Sequence, residues 1–251
     1  MKFIFSIILF YTLACEGQNK TDTQQKTLKR FYSEIAKQFL IIDSLRSVDY
    51  DQLEPANSEV IKILNTYKTE IFNFPDTLDY NLIYLVKSVD KKLALISWDT
   101  RTGGTMIAFT TMAVFKTPEG ITTKMLLDTI EVNMPFTYLH YNSINTITHS
   151  SGKEIYLAWG NGQGSTALPW QELRAFSISN NELIEQKIFP NAATNIQVEF
   201  DLHAFREDQK VPVIKIKNSG RVIQVPIEGD KQGFSGKYKS YIFNGKVFKA
   251  K

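Results

Sequence analysis

Residues 93–105 read Leu93-Ala-Leu-Ile-Ser-Trp-Asp-Thr-Arg-Thr-Gly-Gly-Thr105, and residues 154–166 read Glu154-Ile-Tyr-Leu-Ala-Trp-Gly-Asn-Gly-Gln-Gly-Ser-Thr166. The two stretches align without a gap, bringing Trp98 onto Trp159, Gly103 onto Gly164 and Thr105 onto Thr166; the same offset brings Lys92 onto Lys153 and Phe115 onto Phe176. Each begins as a short apolar run suited to a strand, reaches a Trp, enters a glycine-bearing segment and resumes as a second strand. Around them, Leu82–Val86, Leu93–Trp98, Met106–Phe115 and Ile121–Leu127 are runs rich in Ile, Val, Thr and aromatics. They are separated by the turn signals Val89-Asp90-Lys91-Lys92, Thr102-Gly103-Gly104 and Pro118-Glu119-Gly120. This pattern predicts antiparallel meanders over 82–128 and 143–189. A degenerate third unit follows over 205–250, with turns at Asn218-Ser219-Gly220 and Asn244-Gly245.

Ahead of the strands the period changes. Leu28, Phe31, Ile35, Phe39, Ile42 and Leu45 recur at three- and four-residue steps after the capping pattern Thr21-Asp22-Thr23-Gln24, predicting a helix over 23–46. A second start at Asn57 or Ser58, after Pro55, leads through Ile61, Leu64, Tyr67 and Ile71 to a stop before Pro75. The expected fold is α+β: a helical hairpin in 26–75, then a β-rich meander domain in 76–251. Its sheet is open and curved or resembles propeller blades, although a closed propeller typically wants at least four of them.

The chain has 251 residues, is 43% hydrophobic and carries a formal charge of +3, a globular composition that does not call for nucleic acid as a partner. It has a single cysteine, which excludes a disulfide framework and a thiolate metal site. Lys2 precedes the apolar run Phe3–Leu13, which has the length of a signal-peptide core and falls short of the roughly 20 residues a spanning helix needs. The run ends in Thr12-Leu13-Ala14-Cys15. That end resembles the lipobox of bacterial lipoproteins, with its Leu two rather than three places before the cysteine. The resemblance implies a signal peptide over 1–14, lipidation at Cys15 and a lipidated tether over 15–25. The other reading is cleavage after Ala14 by the general signal peptidase, leaving a free terminal thiol. Together with the Lys, Asn and Ile bias and the segments Ser97-Trp98-Asp99-Thr100 and Gly103-Gly104-Thr105, the start is similar to lipoproteins of Bacteroidota-type bacteria. That similarity implies an exported protein anchored in the outer membrane, and it carries no activity or residue role across.

Three histidines, His140, His149 and His203, show no metal-ligand spacing, and no cofactor motif is present. His149 precedes Ser150-Ser151 without a nucleophile-elbow context, so a hydrolase is the alternative rather than the expectation. The candidate ligand-binding residues are Trp98, Asp99 and Arg101 in the first glycine segment, with Trp159, Asn161, Gln163, Ser165 and Trp170 in and after the second. Amide and hydroxyl side chains beside an aromatic face suit a glycan or a peptide. The opposing reading makes the segments hairpin loops, with glycines supplying positive φ and tryptophans in the core. Residues 210–251 hold ten basic against two acidic side chains, a local +8 set against −6 in the rest of the mature chain. These lysines either face an anionic surface or guard strand edges. A structural or inhibitory subunit of an envelope complex, with an exposed apolar helix face, completes the alternatives. The sequence leaves the oligomeric state open.

Overall fold

A computed structural model describes residues 4–75, 83–126, 138–229, 231 and 233–251, with side chains from residue 22 onward. The segment 1–14, expected to be a signal peptide, and the Cys15 side chain therefore lie outside the described side chains. The fold is α+β: among the described residues two N-terminal α-helices are followed by thirteen strands in three antiparallel sheets.

Helix α1 (Ile4–Val48) contains the predicted helix and continues through residues 15–25, a polar stretch with no proline to stop it. Its apolar stripe is buried at Phe31, Ile35, Phe39 and Ile42. Helix α2 (Leu53–Thr66) begins earlier than the sequence suggested, with Pro55 inside its first turn. Proline is tolerated there because first-turn N–H groups have no intrahelical acceptor to lose. Leu53, Ala56, Val60 and Leu64 of α2 complete the helical side of the core. Among the described residues no helix is long and apolar enough to cross a membrane.

The first sheet is the meander β1 (Ile83–Lys87), β2 (Leu93–Asp99), β3 (Phe109–Thr117) and β4 (Gly120–Leu126). The second is β5 (Leu139–Thr148), β6 (Glu154–Ser165), β7 (Leu168–Ser179) and β8 (Glu182–Glu185). Strand β9 (Asn195–Glu199) shares the outer edge of β7 with β8: β8 pairs with Phe176–Ser179 and β9 with Trp170–Arg174. The third is β10 (Lys215–Lys217), β11 (Val222–Glu228), β12 (Phe234–Phe243) and β13 (Phe248–Ala250). Strands β1–β4 and β5–β8 fall at corresponding places in the two aligned stretches. Their registers differ, however, since Trp98 lies opposite Thr110 whereas Trp159 lies opposite Leu173.

Alternation along each strand sends neighbouring residues to opposite faces, and here both faces are used. Ala94, Ile96, Trp98, Met112 and Val114 pack under the helices. Leu93, Leu95, Ala113 and Phe115 meet Tyr141, Tyr156, Ala158 and Phe176 of the second sheet. Ile155, Leu157, Leu173 and Ala175 then meet Ile214, Ile223, Phe243 and Phe248 of the third. The result is a stack of helices and three sheets separated by three apolar layers. In a propeller the front of one blade meets the back of the next. Here Leu95 and Tyr156, equivalent in the alignment, share one core, as do Phe115 and Phe176. Like faces meet, so the blade arrangement gives way to open sheets.

The second glycine segment is not a loop. Residues 160–165 continue β6, and none of Gly160, Gly162 and Gly164 has positive φ. Glycine is required there for close approach: a Cβ on Gly162 would enter the Trp170 ring, and one on Gly160 would strike the His140 carbonyl.

Candidate functional site

The two aligned segments converge at one end of the stack. Past β2 the chain makes an excursion that is closed by Thr100 N donating to Ala108 O at 2.9 Å, with Thr100 Oγ1 donating to the same carbonyl at 2.7 Å. Gly103 sits so close to the Met106 carbonyl and the Ala108 nitrogen that any Cβ would clash. Gln163, near the far end of β6, donates from Nε2 to Thr105 O at 3.0 Å and ties the second segment to the first. Between them lies a cleft of about 290 Å³, lined by Asp99, Arg101, Gly103, Gly104, Thr105 and Ile107 from the first segment, Gln163 and Thr166 from the second, and Arg46 from the last turn of α1.

Arg101 forms the floor. Its backbone is left-handed at φ 62°, a conformation unusual for a residue with a side chain. Asp99 stabilises it, with Oδ1 accepting from Arg101 N at 2.8 Å while Oδ2 takes Nη1 at 2.6 Å. Arg101 Nε donates to Asp43 Oδ1 of α1 at 2.9 Å. Burial opposes the guanidinium charge, but the carboxylates of Asp99 and Asp43 outweigh it and hold the arginine more firmly protonated than usual. Tyr50 donates its hydroxyl to Thr102 O and fixes the outer part of the loop. Arg46 is exposed and has no partner among the described residues. The lining thus offers one unpaired guanidinium, one neutralised one, amide and hydroxyl groups and a glycine backbone. Groups of these kinds are able to hold and orient a polar ligand.

Of the residues singled out by sequence, Asp99, Arg101 and Gln163 line this cleft. The tryptophans do not, and each belongs to a different apolar layer. Trp98 is 0% exposed beneath the helices, its Nε1 donating to Asn57 Oδ1 at 3.0 Å. Trp170 lies between the first and second sheets, its ring over Gly162. Trp159 packs toward the third sheet, its Nε1 buried without a partner among the described residues. Trp98 and Trp159 therefore look in opposite directions, and neither offers its ring to the cleft as the candidate set expected. Asn161 accepts from Asn142 Nδ2 at 3.1 Å, and Ser165 Oγ accepts from Ala167 N at 3.3 Å at the hairpin end; neither lines the cleft. Arg46 escaped notice because nothing in its neighbourhood marks it out. Only the packing of α1 on the first sheet delivers it.

The Ser and His pair exists as a turn. His149 Nδ1 lies 2.8 Å from Ser151 Oγ and also accepts from Ser151 N at 3.1 Å, at the exposed β5–β6 connection. Both contacts reach only two residues along the chain, the geometry of a side chain closing its own turn. His140 stacks on Tyr84 with centroids 3.9 Å apart and leans on Phe109 at 4.9 Å. Burial pushes its pKa down to about 4, although Asn142 pulls the other way, so it is neutral at pH 7. Among the described residues no three His, Cys, Asp or Glu side chains are grouped as a metal ion would need. No family model, curated protein or solved structure matches the chain, so what it does must be argued from the cleft itself.

Proposed function

We propose that the protein is an exported, lipid-anchored envelope protein that acts by binding, taking a polar group of a glycan or peptide into the cleft between its two aligned segments. The observation that carries this is the convergence of Asp99 and Arg101 with Gln163, which is remote from them in sequence, on one polar cleft joined by the Gln163–Thr105 hydrogen bond. The cleft's size, at the small end of the usual range of about 300–1,000 Å³, suits one sugar ring or one or two peptide residues. The test is binding across a panel of glycans and peptides with Arg46→Ala and Gln163→Ala. Both sites are at least partly exposed, so the fold should persist. Each variant is expected to weaken the ligand that wild type selects by about 1–2 kcal/mol, roughly 5- to 30-fold. Unchanged affinity in both would end the proposal for this cleft.

The anchor is tested separately. Two or three acyl chains, at about 0.8 kcal/mol per buried CH2, hold a protein on a membrane stably, whereas one holds it marginally. In a bacterial host the full chain is expected to incorporate labelled fatty acid and sediment with membranes. Cys15→Ser should lose both properties. A wild-type protein that is cut after Ala14 and carries no label would favour the general signal peptidase.

A further inference from the structure

We propose that a second cleft, at the basic C-terminal sheet and separate from the one above, binds an acidic saccharide. It measures about 680 Å³ and lies between the segment around the 3-10 turn Leu202–Ala204 and the start of β12, with Phe205, Gln209, Lys210, Phe234 and Ser235 in its lining. Both phenylalanines are half-buried and each meets a second ring in a T-shaped contact: Phe205 with Phe200, centroids 5.8 Å apart, and Phe234 with Tyr238 at 5.3 Å. Both rings are in the lining and only partly buried, and the electron-rich face of an aromatic attracts the C–H face of a pyranose.

The polar groups sort by what they have left to give. Ser235 Oγ donates to Ile227 O at 2.8 Å and accepts from Lys237 N at 3.4 Å, so its hydrogen is committed. Gln209 Oε1 accepts from Arg206 N at 2.9 Å, which leaves its Nε2 protons without a partner among the described residues. Lys210 is exposed, is the one charged side chain among the described lining residues, and has no partner among the described residues. The unengaged side-chain groups are therefore donors, and they call for an acceptor-rich anion. The surroundings agree, since residues 210–251 carry ten basic against two acidic side chains. Asp208 is turned to Arg206 at 3.5 Å, and neither it nor Glu228 is among the described lining residues. Two aromatic rings with an ammonium and an amide in one lining match a uronate, a sugar ring that carries its own carboxylate. A concave cleft suits that better than a lipid head group, which a convex lysine surface would serve.

The experiment is calorimetric titration of the mature chain with hexagalacturonate and a hyaluronan hexasaccharide, with maltohexaose as the uncharged control and phosphatidylglycerol vesicles as the lipid arm. Lys210→Gln and Phe234→Leu are compared with wild type, and circular dichroism confirms that each is folded. The expected result is binding of a uronate oligosaccharide, a preference of at least tenfold over maltohexaose, weakening as salt is raised, and a loss of at least tenfold in each variant. Gln163→Ala should leave it untouched, which separates this site from the first cleft. Absence of uronate binding, equal affinity for maltohexaose, indifference to both variants, or tighter binding to the vesicles than to either saccharide would overturn the proposal.

Discussion

Replacing Arg174 by methionine is expected to destabilise the protein by about 3–5 kcal/mol, the range for removing one partner of a buried ion pair. Arg174 and Glu172 lie on β7, on the face that carries Trp170 and Phe176 toward the first sheet, with side chains only 4% and 2% exposed. Arg174 Nε meets Glu172 Oε1 at 2.5 Å, Nη1 meets Glu185 Oε1 at 3.2 Å, and Asn195 Nδ2 donates to Glu172 Oε2 at 3.0 Å. Burial opposes the guanidinium charge, yet the surrounding acidic groups outweigh it and hold the arginine firmly protonated. The position explains the charge. Glu185 comes from β8 and Asn195 from β9, the two strands that divide one edge of β7, so the cluster joins them where neither covers the whole edge. Without Arg174, Glu172 would keep only the Asn195 amide. Urea unfolding of the single variant should show the loss. A double variant, Glu172→Leu with Arg174→Met, should recover most of it, because no buried charge is then left alone. A single variant within about 1 kcal/mol of wild type would mean that water reaches the pair.

What could be read in the sequence, and what could not, divides by range. The helical stripe from Phe31 to Ile42 and the meanders depend on period and on turn residues a few positions apart, and those patterns were legible. The 61-residue offset placed β5–β8 over β1–β4. The direction of the stacking was not legible, because equivalence in sequence is the same whether like or unlike faces meet. Glycine was ambiguous for a local reason: Gly160 and Gly162 look like loop residues, but what they accommodate is a carbonyl and a tryptophan ring on neighbouring strands. The cleft needs contacts between residues dozens of positions apart, such as Gln163 with Thr105 and Arg101 with Asp43. Asp99, Arg101 and Gln163 could be suspected from their segments, whereas Arg46 becomes visible only once α1 lies on the first sheet.

Trp98→Ala is expected to cost about 3–5 kcal/mol, as large buried aromatics do when truncated. Trp98 is fully buried among Phe39-side residues of α1, the α2 stripe and the even-numbered face of β2. It also belongs to a polar clasp. Asn57 is buried on α2, accepts from Trp98 Nε1 at 3.0 Å, and donates from Nδ2 to Leu53 O at 2.8 Å and Thr100 O at 2.9 Å. Thr100 opens the excursion that becomes the wall of the cleft, so the helix, the tryptophan and the cleft loop are held by one amide. Trp98→Phe separates the two contributions: most of the ring volume stays, while Asn57 Oδ1 loses its donor, at about 1–3 kcal/mol. If Trp98 acted as a ligand platform, Trp98→Phe would cut binding as sharply as Gln163→Ala while leaving thermal unfolding nearly unchanged. The burial requires the opposite order, a lowered unfolding temperature with ligand affinity reduced only as far as the loop loosens. Measuring both quantities on the same variant decides whether this tryptophan holds the fold or the ligand.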